Sequence, residues 1–403
     1  MTSATLDRVA RGHLCAGCGL CASLGGSSVT MTTVAPGFAR PVQHDRLSNA
    51  QEAAIAVTCP AISIDENTEA PNDDPLWGPW HFTGTGYATD QALRHQASSG
   101  GVLSAVLTHA LAAGVVDRVI ETGMNPTAPL GNTTIIARDA ATIFAAAGSR
   151  YASSSPLRDI DRMLDEPGKF AFVGKPCDVS ALRALARIDP RVDAKIPLML
   201  AFFCAGVPSG NGARRILAAI DALEDQVVAF RYRGNGWPGD ATATLADGST
   251  RSMGYNDSWG DILSKEVQFR CKICPDAVGS GADIACADAW YGDDDGYPSF
   301  SEQPGRSLIM TRTARGDAFL KAAVAATAIV IEPLNTAEIA RMQPSQARRK
   351  REILARLAAM AVAGRPLPRY RGVKLIAAAR QASPLQQFRS FAGLLRRFAL
   401  GRA

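Results

Sequence analysis

The sequence predicts an α/β protein, α+β overall, with a mixed-sheet domain between a cysteine-bearing N-terminal segment and a helical C-terminal tail. Helix and strand patterns alternate from about residue 85 to residue 331. A closely spaced cysteine triplet lies within the first 25 residues, and the composition becomes rich in alanine, arginine and leucine beyond Ile339. A length of 403 residues fits two or three domains. We therefore predict three segments, 1–80, 81–335 and 336–403.

Hydrophobic periodicity and helix caps predict the elements of the central segment. The apolar spacing from Gly101 to Ala113 predicts a helix, and Gly114 is placed to terminate it. Asp139 is placed to cap the helix that follows a strand over Thr133–Ala137. The other predicted elements are strands at 115–121, 170–173, 196–203, 282–288, 307–311 and 329–331, helices at 178–187 and 316–326, and a hairpin over 241–253. This alternation favours a largely parallel sheet.

Composition excludes several classes of protein. Hydrophobic residues make up 47% of the chain and charged residues 20%, as in a globular protein rather than a disordered or fibrous one. No apolar run approaches the ~20 residues that cross a bilayer, and the N-terminus lacks the apolar segment of a secretory signal. We therefore expect a cytoplasmic protein. In that compartment the nine cysteines are expected to be metal ligands or catalytic groups rather than disulfides.

The C-terminal tail carries most of the positive charge. Between residues 341 and 403 there are 15 lysines and arginines and one glutamate, whereas the whole chain has a net charge of +5. Four apolar residues fall at helical spacing among arginines: Phe388, Phe391, Leu395 and Phe398. This basic amphipathic helix predicts contact with a partner protein or with the inner face of a membrane. A terminal helix docked on its own domain is equally compatible with the pattern.

The strongest motif is Cys15-Ala-Gly-Cys18-Gly-Leu-Cys21. Three cysteines at this spacing can hold three corners of one iron–sulfur cubane, as in bacterial ferredoxins, where a further cysteine precedes a proline. Position 25 is glycine here, and Cys59-Pro60 can supply the fourth ligand instead. We therefore predict a [4Fe–4S] cluster at these four cysteines. The alternatives are unligated thiols and a zinc site, although zinc normally uses paired cysteines rather than a triplet.

A second cysteine pattern is weaker on spacing alone. Cys271-Lys-Ile-Cys274-Pro is compatible with zinc, with redox chemistry or with half of a cluster. Cys177 and Cys204 follow two predicted parallel strands, and binding sites form at that edge of an open α/β sheet. Four converging thiolates there would hold a second cubane. Burial of Cys177 and Cys204 as small apolar residues is an equal alternative, and Cys286 is interpreted as a core residue of its strand.

Small residues after Gln96 suit a phosphate-binding turn at the start of a helix. Ser98, Ser99, Gly100 and Gly101 let backbone N–H groups approach an anion at the helix N-terminus. The pattern is not the G-x-G-x-x-G fingerprint of a dinucleotide-binding fold. A tight turn with a serine cap is at least as compatible with it.

Other polar residues are candidate contacts of the same ligand. Arg150, within Ser149-Arg-Tyr151, can pair a phosphate through two nitrogens, and Lys175 can pair a phosphate or a carbonyl of a planar cofactor. The alternatives are a solvated loop and a surface lysine. His95 is the only histidine close to these residues. It is retained as a candidate catalytic acid, although such a histidine more often has a structural role.

Taken in order, six segments resemble those of one known family. They are Cys-x2-Cys-Gly-x-Cys, Ser-Ser-Gly-Gly-Val, Phe-Val-Gly-Lys-Pro-Cys-Asp, Phe-Phe-Cys-Ala-Gly-Val-Pro-Ser, Cys-Lys-Ile-Cys-Pro-Asp and Ala-Asp-Ile-Ala-Cys-Ala-Asp-Ala-Trp. Over about residues 10–335 the sequence is similar to the coenzyme F420 hydrogenase/dehydrogenase beta-subunit family, which includes deazaflavin-oxidising subunits, a hydroxymethyl-chlorophyll reductase and divinyl-chlorophyllide reductases. The basic tail lies outside the family pattern, and Ala287 stands where most relatives have glycine.

The resemblance implies a bound FAD and one or two [4Fe–4S] clusters, of which we expect two. It implies a ferredoxin-like [4Fe–4S] segment over 1–80, an FAD- and [4Fe–4S]-binding catalytic domain over 81–335 and a basic helical tail over 336–403. The residues that match the family's cluster ligands are Cys15, Cys18, Cys21 and Cys59 for the first cluster, and Cys177, Cys204, Cys271 and Cys274 for the second. The matching or expected flavin contacts are Ser98, Ser99, Gly100, Gly101, Ser149, Arg150, Tyr151 and Lys175.

On this resemblance we expect an iron–sulfur flavoprotein oxidoreductase. It would pass electrons between a low-potential donor, coenzyme F420 or ferredoxin, and a substrate or partner. Two alternatives stay open: an electron-input subunit of a larger complex without its own organic substrate, and a non-catalytic iron–sulfur sensor or scaffold. The pattern also leaves a homo-oligomer open. Nucleic acid is not an expected partner, because the tail has no aromatic stacking platform.

Overall fold

The computed structural model describes residues 2–66, 69–292 and 299–401. The N-terminal segment combines three short helices with an antiparallel hairpin and further short strands. Its helices are α1 (Ala4–Arg11), α2 (Leu20–Gly25) and α3 (Asn49–Thr58). Its strands are β1 (Val29–Val34), β2 (Phe38–Gln43), β3 (Ser63–Asp65), β4 (Asn72–Asp74) and β5 (Gly78–Trp80).

The central segment alternates strands with helices. Its strands are β6 (Phe82–Ala88), β7 (Arg118–Met124), β8 (Asn132–Ala137), β9 (Phe170–Gly174), β10 (Leu198–Phe202), β11 (Val227–Arg231), β12 (Ala241–Leu245), β13 (Thr250–Met253), β14 (Ile284–Asp288), β15 (Ser307–Thr311) and β16 (Ile329–Pro333). Its helices are α4 (Gln91–Gln96), α5 (Val102–Ala112), α6 (Ala140–Ala146), α7 (Ile160–Asp165), α8 (Pro176–Ala186), α9 (Arg191–Lys195), α10 (Gly210–Ala219), α11 (Phe269–Lys272) and α12 (Ala314–Ala325). A π-helix spans Asn256–Ile262.

Eight strands form one mixed sheet in the order β16-β6-β15-β14-β10-β9-β7-β8, which confirms the predicted fold class. The four strands β14, β10, β9 and β7 are parallel. The others are antiparallel to their neighbours, so the expectation of a largely parallel sheet needs correction. The connection from β7 to β8, residues 125–131, is short. It suits a hairpin, since a parallel crossover needs about a dozen residues or more.

Side-chain alternation along the buried strands explains why helices cover both faces of this sheet. On β10, Leu198 and Leu200 point to the face where Val106 of α5 packs. Met199, between them, points to the other face and packs with Leu182 of α8. Period-two alternation of apolar side chains on both faces is what a doubly covered strand requires. The parallel strands therefore end at one shared edge, between two layers of helices.

Local signals located most central elements to within a few residues. The helix predicted over 101–113 is α5, and Gly114 has the positive φ of 64° expected after a helix end. Asp139 caps α6, because its carboxylate accepts a hydrogen bond from the Thr142 N–H at 2.7 Å. The strand predicted from residue 115 begins later, at Arg118. Its first residues instead close the end of α5, where Val115 N–H donates to the Ala110 carbonyl at 3.1 Å.

The tail folds back onto the N-terminal segment. Its elements are α13 (Thr336–Met342), α14 (Pro344–Val362), β17 (Arg369–Arg371), α15 (Leu375–Ala379) and α16 (Pro384–Ala399). β17 pairs in parallel with β3, and Leu394 of α16, 5% exposed, packs with Val9 and Leu14. The three-segment division stays a prediction, but the first and third segments share this hydrophobic core.

The amphipathic face of α16 is largely turned inward. Phe391, Leu395 and Phe398 pack against the shared core, whereas Phe388 is 65% exposed. Leu385, at the start of the helix, is 55% exposed as well. The helix is therefore docked on its own chain but keeps large apolar side chains in solvent at its start. Within the described ranges, no helix is long and apolar enough to cross a bilayer.

Candidate cofactor site

The first four predicted cysteines come together in the N-terminal segment. Cys15, Cys18, Cys21 and Cys59 all line one small, mainly apolar cavity beneath α3. The loop that carries the triplet turns tightly at Gly19, whose φ is 89°. A Cβ there would lie 2.9 Å from the Arg158 backbone nitrogen, so only glycine fits this turn. Cys59 enters directly after the last residue of α3.

Backbone N–H groups surround the sulfurs of this first group. The thiol of Cys18 faces the N–H of Leu20, and the thiol of Cys59 faces the N–H groups of Ala61 and Ile62. Hydrogen bonds of this kind stabilise sulfur ligands and tune iron–sulfur clusters. Burial is the main cause that raises the pKa of Cys59, to about 11; Cys15 adds to the rise, whereas those N–H donors oppose it. Four thiols buried this close together could all ionise only with a cationic group among them.

The second four cysteines meet at the edge where the parallel strands end. Cys177 lies in the first turn of α8 after β9, and Cys204 follows β10, the parallel neighbour of β9. Cys177 interacts electrostatically with Cys204 and Cys274, and Cys204 interacts with Cys271. The cysteines that spacing alone left undecided thus form one group. Burial is the main cause that raises the pKa of Cys204, to about 12.

Hydrogen-bond donors also approach this second group. The Val207 N–H lies 3.4 Å from the Cys271 sulfur, and the Gln268 side-chain amide nitrogen lies 3.5 Å from it. In the part of the chain that the structure describes, no three ligand-type side chains converge closely enough for a single metal ion. A [4Fe–4S] group takes its four thiolates at four separate iron atoms and does not require such convergence. The donor sets of both groups therefore fit this cofactor.

A cavity of about 540 Å³ lies beside the second cysteine group and includes Cys204 in its wall. This volume falls within the range of small-molecule and cofactor sites. Seven of the eight predicted flavin contacts line it: Ser98, Ser99, Gly101, Ser149, Arg150, Tyr151 and Lys175. The N-terminus of α5 opens onto the cavity, where unpaired backbone N–H groups favour an anion. These features fit a phosphate-bearing cofactor.

The serine–glycine turn is also tied to the protein itself. The Ser99 hydroxyl lies 3.0 Å from the Arg306 carbonyl, and the Gly100 N–H donates to the Ser307 hydroxyl at 3.0 Å. A Cβ at Gly100 would lie 2.5 Å from the Gly86 carbonyl oxygen. Gly100 therefore lies behind the cavity wall, packed against β6 and β15. The structural role that the pattern left open accounts for this residue.

Arg150 is held by the protein rather than free to bind a phosphate through two nitrogens. Its guanidinium donates to the Asn132 side chain at 2.9 Å, and to the carbonyls of Pro129 at 2.9 Å and Gly131 at 2.7 Å. It also donates to the Phe230 carbonyl. We correct that expected role, because all three guanidinium nitrogens already have acceptors. Arg150 instead fixes the shape of the cavity wall.

Lys175 faces the cavity as a buried ion pair. Its ammonium lies 2.8 Å from an Asp178 carboxylate oxygen and 2.7 Å from the Ser154 hydroxyl. Burial lowers the pKa of Lys175, but Asp178 outweighs that effect, so the net shift is upward and the ammonium is retained. His95 is not brought to the site: its side chain is exposed on α4 and does not line the cavity. We therefore do not carry His95 forward as a catalytic acid.

Two further features of the cavity are a buried glutamate, which had no sequence signal, and an ion pair. Glu121 on β7 lines the cavity with 6% exposure, and one of its carboxylate oxygens has no hydrogen-bond partner in the described structure. Burial raises the pKa of Glu121 to about 8. The other feature is an ion pair in which Arg233 donates to both Asp288 carboxylate oxygens, at 2.7 and 2.9 Å. The tail also contributes to the wall, through Gln343 and Arg348.

Comparisons with known family models match the central segment of the chain. Residues 83–160 match the model of the coenzyme F420 hydrogenase/dehydrogenase beta-subunit N-terminus, and residues 168–337 match that of its C-terminus. Together these matches span more than half of the chain. The tail after residue 337 lies outside them.

Two relatives are subunits of F420-linked enzymes. The chain is 24% identical over 293 residues to coenzyme F420 hydrogenase subunit beta of Methanothermobacter thermautotrophicus, which covers 70% of this chain and 95% of that one. It is 22% identical over 241 residues to F420-dependent formate dehydrogenase 1 subunit beta of Methanococcus maripaludis, covering 58% of this chain and 59% of that subunit. The second match thus spans less than two thirds of its relative.

One solved structure has a similar fold. A chain from the xenon-derivatised F420-reducing [NiFe] hydrogenase complex of Methanosarcina barkeri superposes with a TM-score of 0.56. The two share 20% identity, and the match covers 71% of this chain and 96% of that chain.

Proposed function

Because this chain belongs to the coenzyme F420 hydrogenase/dehydrogenase beta-subunit family, we propose that it is an iron–sulfur flavoprotein oxidoreductase. It passes electrons between coenzyme F420 or ferredoxin and a substrate or partner, by way of FAD and two [4Fe–4S] clusters. The observation that carries this proposal is the gathering of eight cysteines into two groups of four, one of which borders the cavity. The relatives are beta subunits of F420-linked oxidoreductases, which supports the same class of chemistry.

The roles of the chain's own residues follow from their positions. Cys15, Cys18, Cys21 and Cys59 hold the first cluster in an apolar pocket, and Cys177, Cys204, Cys271 and Cys274 hold the second. A bound flavin exchanges electron pairs with a hydride donor and single electrons with iron–sulfur clusters. The N-terminus of α5 and the Lys175 ammonium bind the anionic part of that cofactor in the cavity. Cys204, in the cavity wall, keeps the second cluster next to it.

Donor-dependent bleaching of the flavin absorbance tests this proposal. Protein purified without oxygen would be mixed with reduced coenzyme F420 and, separately, with reduced ferredoxin. We expect at least one donor to bleach the flavin, followed by the spectrum of reduced clusters. Cys204→Ser should keep flavin bleaching but weaken the second cluster's signal. Cys286→Ser is the matched control, because Cys286 lines the same cavity outside both groups and should behave like wild type. Bleaching by neither donor would contradict the proposal.

An electron-input subunit is the second candidate function. It is favoured by the relatives, which are named as subunits of a hydrogenase and of a formate dehydrogenase. In that case the chain accepts electrons for another subunit and has no organic substrate of its own. Gel filtration of the protein from its native source separates the two: a stable complex with a second redox subunit supports the subunit role, and elution as this chain alone contradicts it.

A further inference from the structure

One buried arginine lies between the two cysteine groups. Arg270 is 2% exposed and directly precedes Cys271 of the second group. Its guanidinium donates to the carbonyl of Pro60 at 2.8 Å, the residue that follows Cys59 of the first group. It acts electrostatically on Cys15 and Cys59 on one side and on Cys177, Cys271 and Cys274 on the other. A single side chain therefore touches the surroundings of both groups.

The tail fixes this guanidinium in place. Tyr370 of β17 accepts a hydrogen bond from Arg270 at 2.7 Å and donates one to the Ile273 carbonyl at 2.9 Å. Ile273 lies between Cys271 and Cys274, so the same tyrosine also braces the second cysteine loop. The buried arginine thus has a defined position rather than a choice of rotamers. The family models do not cover the residue that holds it.

Arg270 has no carboxylate partner within the described residues. Its two terminal nitrogens bind neutral oxygens, and its Nε is buried with no hydrogen-bond partner. Burying an unpaired cation is unfavourable, and a nearby opposite charge offsets that cost. Arg233, which is equally buried, shows the usual solution in its pair with Asp288. Around Arg270 the groups able to carry negative charge are Tyr370 and the cysteines of both groups.

From this arrangement we propose that Arg270 is the shared countercharge of both cluster sites and raises the reduction potential of each. One-electron reduction adds a negative charge to a cluster site, and a fixed cation nearby stabilises the reduced state. Arg270 is a positioning residue: it binds neither substrate nor flavin. The inference rests on the proposed function, since it requires the two clusters.

Two other arginines provide matched controls. Burial raises the pKa of the Cys15 thiol, and Arg40 beside it partly offsets that rise, so Arg40 acts on the first group. Arg349 of α14 donates to the carbonyls of Cys204 at 3.2 Å and Ala205 at 2.8 Å, so it acts on the second. Arg40→Gln should shift mainly the potential of the first cluster, because Arg40 reaches the second group indirectly, through its hydrogen bond to Gln268. Arg349→Gln should shift mainly the potential of the second cluster. Only a charge shared by both sites shifts both to a similar extent.

An EPR-monitored redox titration of oxygen-free, cofactor-loaded protein tests the inference, with Cys18→Ser used to assign the first cluster's signal. Arg270→Gln should move both midpoint potentials to more negative values, and Arg270→Lys should leave both near wild type. The inference is overturned if the glutamine variant leaves either potential unchanged, or if lysine shifts both as far as glutamine.

If Arg270→Gln does not yield folded protein, the lysine variant decides. Both clusters with wild-type potentials support a requirement for charge, and loss of the clusters overturns it. Absence of two clusters from the wild-type protein would instead refute the proposed function. Two clusters with potentials insensitive to Arg270 would refute the inference alone.

Discussion

Replacing Glu121 with glutamine should change how stability depends on pH. Burial raises the pKa of this carboxyl to about 8 in the folded protein, whereas an exposed glutamate titrates near 4.3. The folded state therefore holds a proton that the unfolded state has lost, and wild-type stability falls as pH rises between those two values. Glutamine has nearly the same shape but does not titrate, so the stability of the variant does not fall in this way as pH rises.

The size of the effect follows from the difference between the two pKa values. At about 1.4 kcal/mol per pKa unit, the cost of the wild-type carboxyl is about 1 kcal/mol at pH 5, about 4 kcal/mol at pH 7 and about 5 kcal/mol at pH 9. Glutamine also lacks a hydrogen-bond partner there, and that cost is the same at every pH. Only the slope is therefore diagnostic: the variant should gain about 4 kcal/mol on wild type between pH 5 and pH 9.

Denaturant unfolding of both proteins across this pH range measures the slope. Glu332→Gln is the matched control, since Glu332 is also a strand glutamate but is exposed on β16. The stability of this variant should depend on pH in the same way as that of the wild type. If the curve of Glu121→Gln also runs parallel to wild type, Glu121 titrates normally and the account of an unpartnered buried carboxyl is wrong.

Three further predictions concern the cofactor sites. Cys18→Ser should lose about half of the iron measured by chemical assay, because only the first group is damaged; unchanged iron would contradict the ligand assignment. Truncation after Ala340 should reduce iron content, since it removes Tyr370 and the core that α16 completes; an intact iron content would show that the tail is dispensable. Lys175→Met should cost about 3–5 kcal/mol in unfolding experiments by leaving Asp178 unpaired. The double variant with Asp178→Asn should regain stability but not FAD affinity in a fluorescence titration, and recovery of both would make the lysine purely structural.

Local sequence patterns predicted the central elements well. Their caps and periodicities act within a few residues of the chain, as at Asp139 and Gly114. The position of Cys177 and Cys204 after two strands predicted their shared edge, because parallel neighbours end together. The sequence predicted a mixed sheet but not which of its strands are antiparallel, since strand direction depends on long-range pairing rather than local pattern.

The sequence did not predict which groups each polar side chain contacts. Arg150 and Lys175 were equal candidates for anion binding. In the structure the Arg150 guanidinium donates to backbone carbonyls, whereas Lys175 lines the cavity with its ammonium. Nor did any sequence pattern indicate that Glu121 would be buried. The position of Arg270 next to Cys271 was a sequence signal that it lies near the second cysteine group. Its contact with Pro60 could not be predicted, because the two residues are 210 positions apart. Residue type predicted the chemistry, and tertiary packing decided which residues could perform it.

The most direct test of the central claim is the amount of iron, acid-labile sulfide and flavin per chain in protein purified without oxygen. Two four-iron clusters and one flavin predict about eight iron, about eight sulfide and about one FAD. Zinc in place of iron would contradict the cluster assignment at both cysteine groups. Iron and sulfide without flavin would contradict the flavoprotein assignment and favour an iron–sulfur sensor or scaffold.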